Sequence, residues 1–166
     1  IIILSDYAKG MLSQSIIERT IAHAAETGKP VLVDPKGREY AKYKGATLLT
    51  PNRNEAIHAA GVEDLSEAST KLLDQVELES LIITQGEHGM TLYRRGQNEL
   101  NFPALARAVY DVTGAGDTVI STLAVALGAG CDLPTAVNMA NIAAGIVVEE
   151  VGTTTITRAK LEDALN

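Results

Sequence analysis

Aromatic side chains are scarce in this sequence, which has no Trp, one Phe and five Tyr in 166 residues. Proteins that hold single-stranded nucleic acid stack successive bases on aromatic rings, and this chain has few rings to offer. The formal net charge of −7, with acidic and basic residues interspersed, also disfavours a polyanionic partner. We therefore expect neither nucleic acid nor an anionic membrane surface as a partner, and an anionic substrate must be bound by local donors.

Cysteine and long apolar runs are equally scarce. The single Cys131 cannot form an internal disulfide, and no stretch is apolar for long enough to cross a bilayer or to act as a secretory leader. The three histidines share no metal-ligand spacing with one another or with the cysteine; they are His23, His58 and His88. These absences predict a cytoplasmic protein without disulfides, and the length predicts one domain with a buried core.

The stretch VYDVTGAGDT, residues 109–118, carries the clearest chemical signal. An extended segment runs through a glycine turn into an apolar helix, and the first amides of a helix favour an anion because they lack intrahelical acceptors and lie at the positive end of the dipole. Gly114 and Gly116 allow a ligand to approach the backbone closely. Asp117 would be unfavourable beside a phosphate unless it takes a proton from an attacking hydroxyl. The pattern indicates phosphoryl transfer; the alternative is an ordinary turn whose acid only complements the dipole.

This stretch resembles the second signature of the ribokinase-like (PfkB) carbohydrate kinases. Their Asp-x-Thr-Gly-Ala-Gly-Asp pattern matches residues 111–117 without departure. The ending of a P-loop and the third glycine of a dinucleotide fingerprint are both missing. The resemblance implies that Asp117 is the catalytic base. It also implies that an anion hole is formed by the residues before it, Gly114, Ala115 and Gly116.

Polar loops follow three short apolar strands, which end near Leu4, Val33 and Leu49. Open α/β sheets bind ligands at the carboxyl ends of their strands, so we expect these loops to gather at one edge of a sheet. The first loop holds Asp6 and Lys9, which are either site residues or ordinary solvated charges.

The second and third loops supply candidates for a nucleotide site. Lys36 could reach a phosphate as a point charge, or be a solvated turn residue. Asn52 and Glu55 have the spacing of a helix capping box. The family resemblance implies instead that they organise Mg²⁺ and phosphate, with Glu55 acting largely through water.

Residues 81–93 predict a strand, a glycine turn and a second strand. The weak alternation of apolar and polar residues after the turn favours antiparallel pairing at a sheet edge. In the family a Thr-x-Gly-x-x-Gly turn approaches ATP, so the resemblance makes Thr84, Gly86 and Gly89 candidates for the nucleotide site. A plain hairpin turn explains the two glycines as well.

The apolar, alanine-rich helix predicted over 133–148 carries two asparagines, Asn138 and Asn141. Each is either a satisfied core amide or, by the resemblance, a neighbour of the adenine. The resemblance also implies a K⁺ site, because related kinases bind this ion between a loop of backbone carbonyls, here 149–153, and the positions of Asp111 and Thr113. ATP and Mg²⁺ are the other cofactors that it implies.

The order of elements predicts an α/β protein with a mainly parallel sheet, and the resemblance makes this a ribokinase-like three-layer α/β/α sandwich. The chain opens on the apolar run IIIL without an initiator Met. Ribokinase-like kinases are longer, and their first half supplies the sugar-binding wall. We therefore expect residues 1–166 to be the C-terminal, nucleotide-binding and catalytic part of a kinase domain that is incomplete at its N-terminal side. The missing N-terminal half and a second copy of the protein are the expected protein partners.

Several strings together resemble heptose 7-phosphate kinases, namely SDYAKG, DPKG, GATLLTPN and residues 110–120. The implied reaction is ATP-dependent phosphorylation of the anomeric hydroxyl of D-glycero-D-manno-heptose 7-phosphate, a step towards the ADP-heptose of the lipopolysaccharide core. One alternative is another ribokinase-like sugar kinase, acting on ribose, fructose or a fructose phosphate. The alternative of a different class is a nucleotide-binding or scaffold half that is inactive on its own.

Overall fold

The computed structural model describes residues 1–105, 109–152 and 154–165, and the first part of this chain contains both strands and helices. The strands are β1 (Ile2–Ser5), β2 (Val31–Asp34), β3 (Leu48–Leu49), β4 (Ser80–Thr84), β5 (Met90–Arg94) and β6 (Leu100–Phe102). The α-helices are α1 (Gln14–Glu26), α2 (Arg53–Ala60), α3 (Leu65–Gln75), α4 (Ala115–Gly128), α5 (Leu133–Val148) and α6 (Arg158–Leu165). Short 3-10 helices span Tyr40–Tyr43 and Gly86–His88.

The strands form one sheet in the order β1-β2-β3-β4-β5-β6. The first four are parallel, with Leu4 opposite Val33, Val33 opposite Leu49 and Leu49 opposite Leu81. The connections 85–89 and 95–99 are too short for the crossover that parallel neighbours need, so β4, β5 and β6 pair in antiparallel fashion. The predicted α/β fold with a mainly parallel sheet is confirmed.

The chain divides into two compact units, and the first consists of Ile1–Gln85 with Thr91–Leu100. Its β2 strand is buried on both faces, as expected of a central parallel strand. Its helix α1 buries Ile17, Ile21 and Ala24, which recur at the spacing of one helical face. Burial of these apolar side chains is what holds the parallel strands in place and so fixes the loops at their carboxyl ends.

The second unit consists of Gly86–Met90 and the residues from Asn101 onwards. Its helices α4 and α5 pack against each other, and α5 also contacts α6. The buried residues of α5 include three alanines, Ala136, Ala140 and Ala143. Among the described helices, none is long and apolar enough to cross a membrane.

Candidate functional site

Two predicted site residues lie side by side at the carboxyl ends of β3 and β4, in the first unit. Asn52 forms an isolated parallel bridge with Thr84. The amide of Thr84 donates to the carbonyl of Pro51 at 3.0 Å. The parallel sheet therefore brings these two loops together at the edge where its strands end.

The capping box predicted at the start of α2 is present. The Asn52 side chain accepts a hydrogen bond from the amide of Glu55 at 3.0 Å, and Glu55 Oε2 accepts one from the amide of Asn52 at 3.0 Å. These reciprocal bonds satisfy two donors at the helix start and fix the direction of the Glu55 side chain.

The second carboxylate oxygen of Glu55 binds Lys36 from the loop after β2. The distance from Lys36 Nζ to Glu55 Oε1 is 2.6 Å, and the lysine side chain is 52% exposed. The hydrogen bond and charge of Glu55 hold the pKa of Lys36 above its usual value. An ion pair this exposed adds little stability, so its significance is positional: a permanent cation is held beside a helix start at the carboxyl edge of the sheet.

Asp6, in the loop after β1, is a buried carboxylate and not a solvated charge. It is 5% exposed and accepts hydrogen bonds from the Tyr43 hydroxyl at 2.6 Å, the Lys42 ammonium at 2.7 Å and the amide of Ala8 at 2.8 Å. Burial alone would raise the pKa of Asp6, but these bonds outweigh it and hold the pKa below the usual 3.8. Lys9 of the same loop is exposed, which fits the solvated alternative for that residue.

Tyr43 is the residue that sequence reasoning missed. It lies in the 3-10 helix Tyr40–Tyr43, is fully buried, and links Asp6 to the loop that carries Lys36. Burial raises the pKa of its hydroxyl, and the Asp6 carboxylate raises it further, so the hydroxyl keeps its proton. No local pattern marks this residue, because its partners are distant in sequence.

Replacing Asp6 by Ala should lower the free energy of unfolding by about 3 kcal/mol at pH 7, since it leaves a partly buried ammonium and a buried hydroxyl without their acceptor. The folded-state pKa of Asp6 is depressed, so its contribution is fully present above pH 3.8 and is lost as the pH falls through the folded-state value. The difference in the free energy of unfolding between the wild type and Asp6→Ala should therefore shrink as the pH falls below 3.8. Denaturant unfolding at pH 7 and at acid pH measures both effects.

Lys9→Ala is the matched control, because Lys9 lies in the same loop and is exposed. It should change the free energy of unfolding by no more than about 0.5 kcal/mol. Equal effects of the two substitutions would show that the buried carboxylate is not a stabilising centre.

The glycine turn of the second unit leads directly into α4. Gly114 is the N-cap with φ +82°, a left-handed conformation that favours glycine, and its carbonyl accepts from the amide of Thr118 at 2.9 Å. A methyl group built on Gly116 meets no described protein atom within 4 Å. The backbone at the helix start is thus accessible, and Asp117 is exposed in the first turn beside it.

The loop before this turn is tied to the end of α5. The amide of Tyr110 donates to the carbonyl of Val148 at 2.8 Å, and Asp111 Oδ1 accepts from the amide of Thr113 at 2.8 Å. Hydrogen bonds from Thr113, and a further one from the amide of Gly152, hold the pKa of Asp111 below its usual value. The predicted neighbours of the K⁺ site, Asp111 and the loop after α5, therefore do meet; Thr153 of that loop lies outside the described residues.

The asparagines of α5 differ in their surroundings. Asn141 is buried, and its side-chain amide donates to the carbonyl of Pro103 at 2.7 Å. It is therefore a satisfied core amide, which is one of the two alternatives that the sequence left open. Asn138 is exposed and keeps its candidacy as a ligand contact.

The two glycines of the 85–89 connection also differ. Gly86 has φ +58° and open space where a Cβ would stand. Gly89 has φ +83°, and a Cβ there would lie 2.0 Å from the carbonyl oxygen of Phe102. Gly89 is therefore required by the close approach of another backbone segment, whatever its relation to a nucleotide.

Metal binding would depend on few protein ligands. Within the described residues, no group of three or more His, Cys, Asp or Glu side chains is placed to hold a metal ion. Both oxygens of Glu55 already accept hydrogen bonds, one from Lys36 and one from the amide of Asn52.

A cavity of about 380 Å³ lies in the first unit between α3 and residues 93–99, and none of the predicted site residues lines it. The amide of Arg95 donates to the carbonyl of Glu79, which places this cavity near the amino end of β4, away from the carboxyl edge. The candidate site is therefore two clusters of loop residues and not this cavity. The first-unit cluster consists of Lys36, Asn52, Glu55 and Thr84, and the second-unit cluster of Asp111, Thr113, Gly114, Ala115, Gly116 and Asp117.

Comparison with known proteins gives concordant results. The family model described as pfkB family carbohydrate kinase matches residues 3–160. The chain is 53% identical to the bifunctional protein HldE of Aeromonas salmonicida, over 99% of this chain and 35% of that protein, so it spans about a third of the length of this curated relative. The ribokinase of Arabidopsis thaliana, solved with ribose and ATP, superposes with a TM-score of 0.85 at 22% identity, over 98% of this chain and 55% of that one. Phosphofructokinase-2 of Escherichia coli, solved with potassium, gives 0.85 at 15% identity over the same shares.

Proposed function

This chain belongs to the pfkB family of carbohydrate kinases, and from that premise we propose that it is the nucleotide-binding and catalytic part of an ATP-dependent sugar kinase. The observation that carries the proposal is the second-unit cluster: an accessible glycine backbone at the start of α4, with the exposed carboxylate of Asp117 in the same turn. The amide of Ala115 donates to the carbonyl of Val112 at 3.2 Å, so an anion bound there would share or replace that bond and would lie at the positive end of a helix dipole.

In the proposed mechanism, Asp117 accepts the proton of a sugar hydroxyl as that oxygen attacks the γ-phosphate of ATP. The O–H bond breaks, the new P–O bond forms and ADP leaves. The backbone amides of the turn stabilise the charge that develops on the transferred group; this anion hole is formed by Gly114, Ala115 and Gly116. Phosphoryl transfer leaves little covalent work for the protein, so positioning and charge neutralisation supply most of the acceleration.

The first-unit cluster is proposed to bind the nucleotide phosphates. Lys36 offers a cation, and Asn52 and Glu55 would hold Mg²⁺ through water, where this ion would neutralise phosphate charge. The residues proposed to contact the rest of the nucleotide are Thr84, Gly86, Gly89 and Asn138.

A K⁺ ion is proposed beside Asp111 and Thr113. The hydrogen bond from the amide of Gly152 brings the loop after α5 to the Asp111 carboxylate, and this supports the assignment because an ionised oxygen suits a hard cation. The potassium complex of phosphofructokinase-2, which has the same fold, is a further support.

For the sugar we propose D-glycero-D-manno-heptose 7-phosphate, phosphorylated at its anomeric hydroxyl in the cytoplasm on the way to the ADP-heptose of lipopolysaccharide. The identity to HldE proteins and the strings SDYAKG, DPKG and GATLLTPN support this substrate. We assign the sugar-binding wall to the part of the relatives that this chain does not span, and we infer that the chain alone is inactive on any sugar. A second copy of the protein is the other proposed partner, and a ribose or fructose kinase is the alternative function.

ATP with Mg²⁺ is expected to raise the melting temperature of this chain, because a ligand that binds only the folded state stabilises it by mass action. At ten times Kd the gain is about 1.4 kcal/mol, or about 3–6 °C for a chain of this size. Thermal unfolding with and without millimolar nucleotide measures it. An unchanged melting temperature in a folded chain would favour the scaffold alternative.

Gly116→Ala provides the control that locates the nucleotide. The added methyl group meets open space in the protein, and alanine is the better helix former, so the ligand-free melting temperature should not fall. The same methyl group would occupy the place proposed for the phosphate, so the shift caused by ATP should largely disappear. A full shift in this variant would place the nucleotide elsewhere.

A further inference from the structure

A chain of hydrogen bonds in the first unit runs from a buried carboxylate to the loop that carries Lys36. The Tyr43 hydroxyl lies 2.6 Å from Asp6 Oδ2 and 3.1 Å from the amide nitrogen of Lys36. An ionised carboxylate can only accept, so the hydroxyl donates to Asp6 and accepts from Lys36. The ammonium of Lys42, 2.7 Å from the same Asp6 oxygen, holds the carboxylate in place.

The hydrogen bonds continue from Lys36 to the start of α2. Lys36 Nζ binds Glu55 Oε1, and Glu55 Oε2 accepts from the amide of Asn52. The loops that follow β1, β2 and β3 are thus connected in series. The inner end of the series is buried and the outer end, Lys36, is half exposed at the carboxyl edge.

The buried end cannot reach a ligand, so its influence must pass through the exposed end. Tyr43 is fully buried and Asp6 is 5% exposed. An exposed Lys–Glu pair does not by itself fix the position of a flexible side chain. A buried hydrogen bond to the backbone of the same lysine fixes its main chain, and so limits the positions that the ammonium can reach.

We infer that Asp6 and Tyr43 are positioning residues for phosphate binding, because they fix the main chain at Lys36. The Lys36 ammonium is thereby held beside Glu55 before the phosphate binds. The inference rests on the proposed function, since it deepens the role of Lys36 in that site. Neither residue contacts the nucleotide.

The chain offers a matched control in Tyr40, which belongs to the same 3-10 helix and packs edge-on against Tyr43 at 5.7 Å between ring centres. Tyr40 is also fully buried, but its hydroxyl has no hydrogen-bond partner among the described residues. Tyr40→Phe and Tyr43→Phe therefore remove the same atom from equally buried rings, and only the second breaks the link to Lys36.

The test is calorimetric binding of Mg·ATP and of adenosine to this chain and four variants: Tyr40→Phe, Tyr43→Phe, Lys36→Ala, and the double variant Tyr43→Phe with Lys36→Ala. Tyr43→Phe should weaken ATP about five- to tenfold and leave adenosine unchanged, while Tyr40→Phe should change neither. The double variant should lose no more than Lys36→Ala alone, because residues that act through one another are not additive. Should Tyr43→Phe fold too poorly to assay, Asp6→Asn takes its place in the same cycle; because asparagine weakens but does not remove the acceptor of the Tyr43 hydroxyl, a smaller loss of ATP affinity is expected, again with no loss of adenosine affinity.

The outcomes separate the two proposals. If the wild type binds no ATP, the proposed function fails and the positioning role fails with it. If the wild type binds ATP but Tyr43→Phe behaves like Tyr40→Phe, or if the losses from Tyr43→Phe and Lys36→Ala add, the positioning role is overturned and the proposed function stands. An equal loss of ATP and adenosine affinity would also overturn it, since that pattern indicates general destabilisation.

Discussion

Asp117→Asn should lower kcat by about 10²- to 10⁴-fold, the usual worth of a general base, in a kinase of the relatives' full length that carries this chain. The amide keeps the shape of the carboxylate but cannot accept the proton of the attacking hydroxyl. ATP affinity should survive, because asparagine preserves the size and shape of the side chain beside the accessible turn. Steady-state kinetics with direct measurement of nucleotide binding separates the two effects.

Asp132→Asn is the control for this substitution. Asp132 is the N-cap of α5 and accepts from the amide of Thr135 at 2.8 Å; asparagine caps a helix equally well, so kcat should not change. If Asp117→Asn retained more than about a tenth of kcat, far above the range for a lost base, Asp117 would be only an acid that complements the helix dipole.

Gly89→Ala should lower the free energy of unfolding by about 2–5 kcal/mol. Alanine at φ +83° costs about 1–2 kcal/mol in the left-handed region, and forcing apart the backbone at Phe102 costs about 1–3 kcal/mol more. Denaturant unfolding, with circular dichroism to confirm the fold, is the measurement.

Gly86→Ala is the companion variant, because it has a similar φ of +58° and open space at the Cβ position. It should cost only the left-handed term, about 1–2 kcal/mol. Similar losses in both variants would contradict the close approach at Gly89. A loss of ATP binding in Gly86→Ala without a matching loss of stability would support its place in the nucleotide site.

Local patterns predicted the parts of this structure that depend on neighbouring residues. The buried strand β2 follows from a short apolar run, and the reciprocal bonds of Asn52 and Glu55 follow from their spacing of three. The left-handed turn at Gly114 follows from the glycine before an apolar helix. Each of these features is determined within one turn or one strand.

The remaining features join residues that are far apart in sequence. Tyr43 and Asp6 are 37 residues apart, and they meet because β1 and the 3-10 helix are placed by the sheet. Tyr43 lies in a short helix without a periodic pattern, so no local rule singles it out. The requirement for glycine at position 89 likewise depends on the close approach of the segment 102–104, which the sequence of the turn does not reveal.

Because Glu55 makes two separate interactions, few other side chains can replace it. One carboxylate oxygen holds the start of α2 and the other holds Lys36. Glutamine would keep the cap but lose the charge opposite the lysine, and alanine would lose both. Substitutions at position 55 are therefore limited by folding, through the cap of α2, and by chemistry, through the ion pair with Lys36. A variant at this position can lose either interaction or both.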